Sequence, residues 1–280
     1  LVDVDVNQVA DRLSQAIQKN TISYPDTSKV DWSKFDEYIA FIENSYPLVH
    51  EKLKREKINT HGLVYHLKGT DSGLKPALLI AHYDVVPVEK STLDQWEHPP
   101  FSGAIADNFV WGRGTMDMKL HMLSVLEAVE MHLSKGFQPQ RDIYLAFGQD
   151  EETRGILGAT AMADYFEKKG IEFEFVLDEG GCVTEEAVAQ LTKPVALIGI
   201  AEKGFASVKI TVDGSGGHSS MPPNQTAVGA LGRIVADLEE RQFNLRLCTP
   251  VRKQFEKIGT EFPFGLRLLT ANLWLFGPLF

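Results

Sequence analysis

The sequence has few of the features on which several protein classes depend. Its two cysteines, Cys182 and Cys248, are too few for a disulfide framework and fit free thiols in a reducing compartment, although one bridge is the alternative. No apolar run approaches the roughly 18 residues of a membrane-spanning helix. Basic residues number 28 against 38 acidic ones, a formal net charge of −10. We therefore expect no membrane partner, and no nucleic-acid partner either, because nucleic acid requires a basic surface.

The two ends of the chain lack what natural termini usually have. The chain begins with Leu1, shows no charged-then-apolar leader, and stops at Phe280 inside an apolar stretch, 268–280. A terminus that faces solvent is ordinarily polar. We therefore expect a piece of a longer protein, cut at both ends. The missing leader and the few cysteines slightly favour the cytoplasm.

The sequence does contain an alternation of short apolar strands and amphipathic helices. Apolar runs predict strands suited to a parallel sheet, at residues 76–81, 142–148 and 173–177. Apolar residues three or four apart predict helices, at residues 6–17, 35–42, 122–133 and 159–169. Strands that alternate with helices in this way predict an α/β layered fold.

The pattern changes near residue 204. Alternating apolar and polar residues over 208–212 predict a half-buried strand of an antiparallel sheet, and apolar spacing over 228–238 predicts a helix after it. We therefore place a domain boundary there, with a first domain at 1–203 and the beginning of a second at 204–280.

Acidic and metal-binding residues follow each of the three predicted parallel strands. They are His-Tyr-Asp at 82–84, Asp-Glu-Glu at 150–152 and Asp-Glu at 178–179. Ligands of open α/β sheets bind beyond the carboxyl ends of the strands, so we expect these side chains to meet. Carboxylates packed this closely raise one another's pKa values, and a divalent cation would remove that cost.

Each motif has a chemical interpretation and an ordinary structural one. His82 could bind a metal while Asp84, on the same side of an extended segment, accepts a hydrogen bond from its other ring nitrogen. A turn with a solvated Asp and a hydrogen-bonded His is the alternative, and for this pair alone it is the favoured one. Of Glu151 and Glu152, one could bind a metal and the other serve as general base, whereas a solvated charge run is the alternative. Asp117 follows a glycine-rich turn that lacks phosphate-loop spacing, and it could simply stabilise a helix N-terminus.

Taken in order, these segments resemble one known family. Residues 81–87, 96–103, 112–117, 150–152, 178–181 and 217–220 are similar to motifs of the dizinc metallopeptidases that include aminoacylases, glutamate carboxypeptidase and succinyl-diaminopimelate desuccinylase. The branch of carboxypeptidase S and the N-fatty-acyl-amino-acid hydrolase/synthase is the most similar. The resemblance implies an α/β/α zinc-peptidase catalytic domain, whose N-terminal portion is 1–203. An inserted α+β lid and dimerisation domain would begin at 204 and be truncated at 280.

The resemblance implies two zinc ions per intact chain and a set of ligands for them. His82 and Asp178 would bind one zinc, Glu152 would bind the other, and Asp117 would bridge both. The last zinc ligand of the family is a later histidine, yet no histidine follows His218 in this sequence. Truncation explains that absence, so the resemblance implies that the intact protein is an enzyme and that this piece alone is inactive.

The resemblance also assigns the residues that act on the substrate. Glu151 would be the general base, and Asp84 would orient the histidine ligand. His218, reaching into the site of the neighbouring protomer in a homodimer, would hold the carbonyl oxygen or carboxylate of the substrate. Met118 stands where this branch usually has a second Asp, but other branches carry Met there.

The expected reaction is hydrolysis of an amide bond adjacent to a free carboxylate, by a water that zinc activates. The substrate would be a short peptide or an N-acyl amino acid, and the sequence does not separate the two. A deacetylase or dipeptidase of the same superfamily is the alternative within enzymes. The alternatives outside catalysis are an inert fragment and a binding module that keeps the fold, although the presence of Glu151 and Asp117 disfavours the binding module.

Overall fold

The computed structural model describes residues 4–181, 183–185, 191, 193–200, 204–214, 216–221, 223–244 and 246–277. The chain divides into two compact units, Leu1–Glu179 and Gly180–Phe280. The predicted boundary at 203/204 adjoins residues 201–203, which lie outside the described residues, and the assignment of domains at 1–203 and 204–280 stays a prediction.

Among its described residues, 4–179, the first unit has five α-helices and seven strands. The helices are α1 (Val6–Ile17), α2 (Trp32–Ser45), α3 (Pro47–Lys52), α4 (Leu120–Ser134) and α5 (Ala161–Lys168). The strands are β1 (Lys54–Ile58), β2 (Gly62–Leu67), β3 (Ala77–His82), β4 (Ile105–Ala106), β5 (Phe109–Val110), β6 (Ile143–Gly148) and β7 (Phe175–Leu177). The four helices and three parallel strands predicted for this part of the chain are all present, with shifted ends.

Five of these strands form one mixed sheet in the order β1-β2-β6-β3-β7. Strand β3 pairs in parallel with β6 on one side and with β7 on the other, as the apolar runs predict. The antiparallel pair β1 and β2 extends the sheet beyond β6 and has no counterpart in the sequence analysis. Strands β4 and β5 form a separate two-stranded hairpin.

Helices cover both faces of this sheet, so the first unit has three α/β/α layers. On one face α1 to α4 bury a large core against alternate residues of the strands, such as Tyr65 and Phe147. On the other face α5 packs against the intervening residues, such as Tyr144, through Met162 and Phe166. Burying a large apolar side chain stabilises the folded state by about 1.5–3 kcal/mol relative to leaving it exposed. A strand that is covered on both faces is therefore apolar along its whole length. This explains why β3 and β6 are such short continuous apolar runs.

The described residues of the second unit include two short strands and four helices. Strand β8 (Val183–Thr184) pairs antiparallel with β9 (Val195–Ala196), and the helices are α6 (Ala227–Glu240), α7 (Thr249–Ile258), α8 (Phe264–Ala271) and α9 (Leu273–Phe276). Helix α6 confirms the prediction over 228–238. The predicted strand over 208–212 is wrong, because the described residues 204–214 contain no strand. A strand needs a hydrogen-bonded neighbour, and this segment has none among the described residues.

Two expectations about the whole chain can also be checked. Cys248 is an exposed free thiol, whereas Cys182 lies outside the described residues. Within the described residues, no helix combines the length and the apolar character needed to cross a membrane.

Candidate metal centre

The sheet brings the loops that carry the predicted site residues to one edge. His82 ends β3 directly opposite Gly148, which ends β6. Strand β7 runs parallel to β3 on its other side, so the chain also leaves β7 near this edge. The loops that carry Asp84, Glu151 and Asp178 therefore start side by side, as the strand pattern predicts.

His82 and Asp84 form a buried pair. Nδ1 of His82 lies 3.1 Å from the backbone oxygen of Asp84 and 3.3 Å from its Oδ1. The Asp84 side chain is fully buried and also accepts hydrogen bonds from the backbone N–H groups of Glu151, at 3.0 Å, and Glu152, at 3.2 Å. Asp84 thus binds both the histidine and the loop that carries the two glutamates. When Nδ1 donates to Asp84, the lone pair of Nε2 is free to bind a metal.

Two groups of potential metal ligands share the Nε2 side of His82. The first group consists of His82, Asp117 and Glu152, and the second of His82, Glu151 and Glu179. In each group the ligand atoms all lie within 4.8 Å of one another. Nε2 of His82 is 3.1 Å from Oδ1 of Asp117 and 3.7 Å from the nearest carboxylate oxygen of Glu151 and of Glu179. Two further predicted ligands, Asp117 and Glu152, and the predicted general base, Glu151, therefore lie close to the predicted ligand His82.

The acidic pair after β7 differs in part from the expectation. The structure brings Glu179, not Asp178, into a ligand group of the described residues. Asp178 is exposed, and its Oδ1 accepts the backbone N–H of Glu179 at 2.7 Å. Glu179 belongs to the motif at 178–181 but has no predicted role, although a second acid directly after a strand end is itself a signal. The assignment of Asp178 as a ligand stays a prediction.

Asp117 reaches the site from a tight turn before α4. This turn, Thr115–Lys119, begins after Gly114, which has a φ of +84° in the left-handed region. A Cβ at Gly114 would lie 2.5 Å from Cγ1 of Val85, so only glycine allows the turn to approach the loop after β3 this closely. The alternative interpretation places Asp117 at the N-terminus of a helix. In the structure its backbone is not helical, and α4 begins only at Leu120. Its side chain projects into the site and is 69% exposed.

The carboxylates of the site repel one another, which favours their protonated forms. Burial, followed by the negative charges of Asp117, Asp84 and Glu151, raises the pKa of Glu152 to about 7. Burial also raises the pKa values of Glu151 and Glu179, with further contributions from neighbouring acids.

The same negative charges favour the charged form of His82. Burial disfavours its charged form, but the hydrogen bond to Asp84 and the surrounding carboxylates outweigh burial and raise its pKa to about 9. The site thus favours positive charge at its centre. One imidazole and several carboxylate oxygens are also a donor set that zinc accepts, so the residues present fit a divalent cation.

A cavity of about 380 Å³ opens beside the ligands. Its lining includes His82, Glu151 and Glu179 together with the apolar side chains of Leu78 and Phe166, from β3 and α5. The cavity adjoins the ligand groups, so a substrate group bound there would be close to the reacting centre.

His218 belongs to the second unit and is no member of either ligand group among the described residues. It is exposed in the loop before α6, where its Nδ1 lies 2.8 Å from Oγ of Ser220. Its predicted contact with substrate stays a prediction.

Comparison with known proteins agrees with this geometry. The sequence pattern of Peptidase family M20/M25/M40 matches residues 78–277. The chain is 44% identical over 276 residues to "Probable carboxypeptidase S-like 2" of Dictyostelium discoideum, covering 97% of this chain and 53% of that protein. It is 34% identical over 282 residues to "N-fatty-acyl-amino acid synthase/hydrolase PM20D1" of Xenopus tropicalis, covering 100% of this chain and 54% of that protein. It is 36% identical over 249 residues to "Carboxypeptidase S" of Saccharomyces cerevisiae, covering 85% of this chain and 42% of that protein.

These findings confirm the resemblance read from the motifs, including the branch of carboxypeptidase S and the N-fatty-acyl-amino-acid hydrolases. The chain spans about half the length of the relatives it matches most fully, at 53% and 54%. The family match covers 78–277 and includes every predicted site residue. The chain therefore belongs to Peptidase family M20/M25/M40.

Proposed function

We propose that the protein containing this chain is a zinc-dependent hydrolase that cleaves an amide bond adjacent to a free carboxylate. The observation that carries the proposal is the convergence of four carboxylates, in two groups of potential ligands, on His82, with Asp84 on the Nδ1 side of the imidazole ring. Membership of a metallopeptidase family supports the hydrolytic class. The ligand chemistry supports zinc.

His82, Asp117, Glu152 and Asp178 would hold two zinc ions in the whole protein, with Asp117 shared between them. The contact of 3.1 Å between Asp117 and His82 supports a ligand that is common to both sides of the site. The exposure of Asp117 supports it too, because a bridging carboxylate must present both of its oxygens. Bound zinc would supply Lewis acidity, polarising the carbonyl of the substrate and lowering the pKa of a water molecule.

The residues of the chain would then supply orientation and proton transfer. Asp84 would hold the metal-binding tautomer of His82, and it accepts the two backbone N–H groups of the turn that carries Glu151 and Glu152. Glu151 would accept a proton from the attacking water and pass it to the nitrogen of the leaving amine. The raised pKa of Glu151 suits this role, because a general base works best when its pKa lies nearer to the pH of the reaction.

The substrate would be a short peptide with a free C-terminus or an N-acyl amino acid. Both contain the same reacting unit, an amide bond one carbon away from a carboxylate. The relatives are named for carboxypeptidase activity and for N-fatty-acyl-amino acid synthesis and hydrolysis, which supports this unit. His218 would bind the carbonyl oxygen or carboxylate of the substrate from the neighbouring protomer of a homodimer.

The proposal can be tested by hydrolysis assays on the whole protein after zinc reconstitution. We expect cleavage of a dipeptide or an N-acyl amino acid, and little cleavage of the same compounds with the carboxylate amidated. Glu151→Gln should abolish most of the activity while zinc remains bound. Retention of full activity on the amidated compounds would contradict the substrate class, and full activity after zinc removal would contradict the mechanism.

A further inference from the structure

The part of the chain before residue 78 lies outside the family match, yet it contacts the loops that form the candidate site. Helix α1 ends at Ile17, and the residues after it run beside the loop that follows β3. We call residues 16–23 the N-terminal anchor. Two separate sets of contacts join it to the two loops that carry His82 and Asp117.

The first set of contacts holds the loop after β3. The backbone N–H of Val85 donates to the oxygen of Thr21 at 2.9 Å, and the N–H of Ser23 donates to the oxygen of Val85 at 3.1 Å. The hydroxyl of Thr21, which is fully buried, donates to the backbone oxygen of Tyr83 at 2.5 Å. These bonds fix the residues on both sides of Asp84, and therefore fix the loop in which His82 and Asp84 pair.

The second set holds the turn that carries Asp117. Lys119, two residues further along, is fully buried, and its Nζ donates to the backbone oxygens of Ala16 at 3.1 Å and Lys19 at 2.6 Å. Both oxygens belong to the N-terminal anchor. A buried lysine side chain thus ties the turn at Asp117 to the same short segment that holds the loop after β3.

An aromatic stack connects the two sets. Nζ of Lys119 lies 5.0 Å from the ring centre of Tyr38, and the Tyr38 ring stacks on Tyr83 with 5.0 Å between centroids and 7° between planes. Tyr83 lies between His82 and Asp84 in sequence and is fully buried. The stack therefore links Lys119, in one loop, to Tyr83, in the other.

The hydrogen bonds of Lys119 do more than satisfy its acceptors. The oxygen of Ala16 already accepts the N–H of Lys19 at 3.2 Å, and the oxygen of Lys19 accepts the N–H of Thr21 at 2.8 Å. A methionine of similar length would fill the position without the cost of burying an amine. Neither packing nor acceptor satisfaction requires a lysine here, whereas its two hydrogen bonds tie the turn directly to the N-terminal anchor.

We propose that Lys119 and Thr21 are positioning residues of the metal centre, which hold the Asp117 turn and the His82–Asp84 loop at a fixed spacing through the N-terminal anchor. The spacing matters because zinc binds imidazole nitrogen and carboxylate oxygen at about 2.0–2.2 Å, and small shifts of one loop spoil such contacts. This inference rests on the zinc site of the proposed function.

The test is zinc affinity, measured on the full chain by competition with a chromophoric chelator, together with thermal unfolding of the metal-free form. Lys119→Met removes the donors, and Thr21→Val removes the hydroxyl at nearly constant shape. Thr21→Ser keeps the hydroxyl and serves as the matched control. Ser14→Ala is a second control, because it removes a hydrogen bond of 2.6 Å between α1 and Gly103 that does not involve either loop.

We expect Lys119→Met and Thr21→Val to weaken zinc binding about tenfold or more, the range for residues that support metal ligands. Thr21→Ser and Ser14→Ala should bind zinc like the wild type, whatever their unfolding temperatures. Wild-type affinity in Lys119→Met and Thr21→Val, with zinc lost in His82→Ala, would overturn the positioning role alone. If Lys119→Met does not fold, the comparison of Thr21→Val with Thr21→Ser decides. Zinc binding that His82→Ala leaves unchanged would overturn the proposed zinc site and this inference with it.

Discussion

Replacement of Asp84 by asparagine tests how the two halves of the candidate site are joined. The Asp84 carboxylate accepts the N–H groups of Glu151 and Glu152 on separate oxygens and lies beside Nδ1 of His82. Asparagine keeps the shape but has only one acceptor oxygen. If that oxygen stays with Glu151 and His82, the amide nitrogen faces the N–H of Glu152, and two donors oppose each other.

The size of the effect follows from these contacts. One N–H that loses its acceptor costs about 1–3 kcal/mol, and the remaining hydrogen bonds lose the strength that a charged acceptor gives them. A loss of about 2 kcal/mol lowers the melting temperature of a domain of this size by roughly 4–8 °C. Zinc affinity should also fall by about 10–100-fold, because Asp84 orients both the imidazole ring of His82 and the turn that carries Glu151 and Glu152.

Asp142 provides a matched control within the same unit. Its carboxylate lies 2.6 Å from Nε2 of His66 and accepts the N–H of Gly69 at 2.7 Å, but it precedes β6, at the opposite end from the ligands. Asp142→Asn should therefore lower the melting temperature without changing the affinity for zinc. Zinc titration and thermal unfolding of both variants separate the two effects. Equal zinc affinity in Asp84→Asn and the wild type would refute the reasoning, even if Asp84→Asn were destabilised.

Three further predictions concern the reaction and its pH dependence. Glu151→Gln should reduce turnover by about 10²–10⁴-fold with zinc retained, whereas Glu152→Gln should lower zinc occupancy, as metal analysis beside the rate assay would show. The pKa values of about 7 at Glu152 and about 9 at His82 mean that zinc must displace protons, so its affinity should rise between about pH 6 and 9 in competition titrations. His218→Ala should reduce turnover of the whole protein without loss of zinc, and mixing it with Glu151→Ala should restore activity if subunits exchange and His218 acts across a dimer.

Local patterns predict the strands that carry the site because burial on both faces leaves a clear trace in sequence. Strand β3 is predicted at 76–81 and found at Ala77–His82, and its parallel pairing with β6 follows from the same apolar composition. Strand β1 leaves no such trace. Its residues, Lys-Arg-Glu-Lys-Ile, are largely charged, and only the pairing with β2 makes this edge segment a strand.

Tertiary placement sets the other limit of prediction from sequence. Which of Asp178 and Glu179 faces His82 depends on the direction of the backbone after β7, and adjacent residues in an extended segment point to opposite sides. Lys119 is hidden for a different reason, because lysine ordinarily marks the surface. Its burial becomes visible only when α1, about 100 residues earlier in the chain, is folded against the turn.

The contacts behind the ligands also bear on how tightly the site should bind its first metal ion. The three members of the first ligand group come from the end of β3 and from two separate turns, and ordering such segments on binding would consume part of the binding energy. Hydrogen bonds within the protein hold these segments, through Asp84 at the turn that carries Glu151 and Glu152 and through Lys119 and Thr21 at the other two. The main cost that remains is the displacement of protons from His82 and the acids, which falls as the pH rises. The affinity of the site should therefore be limited by proton competition more than by folding of its loops.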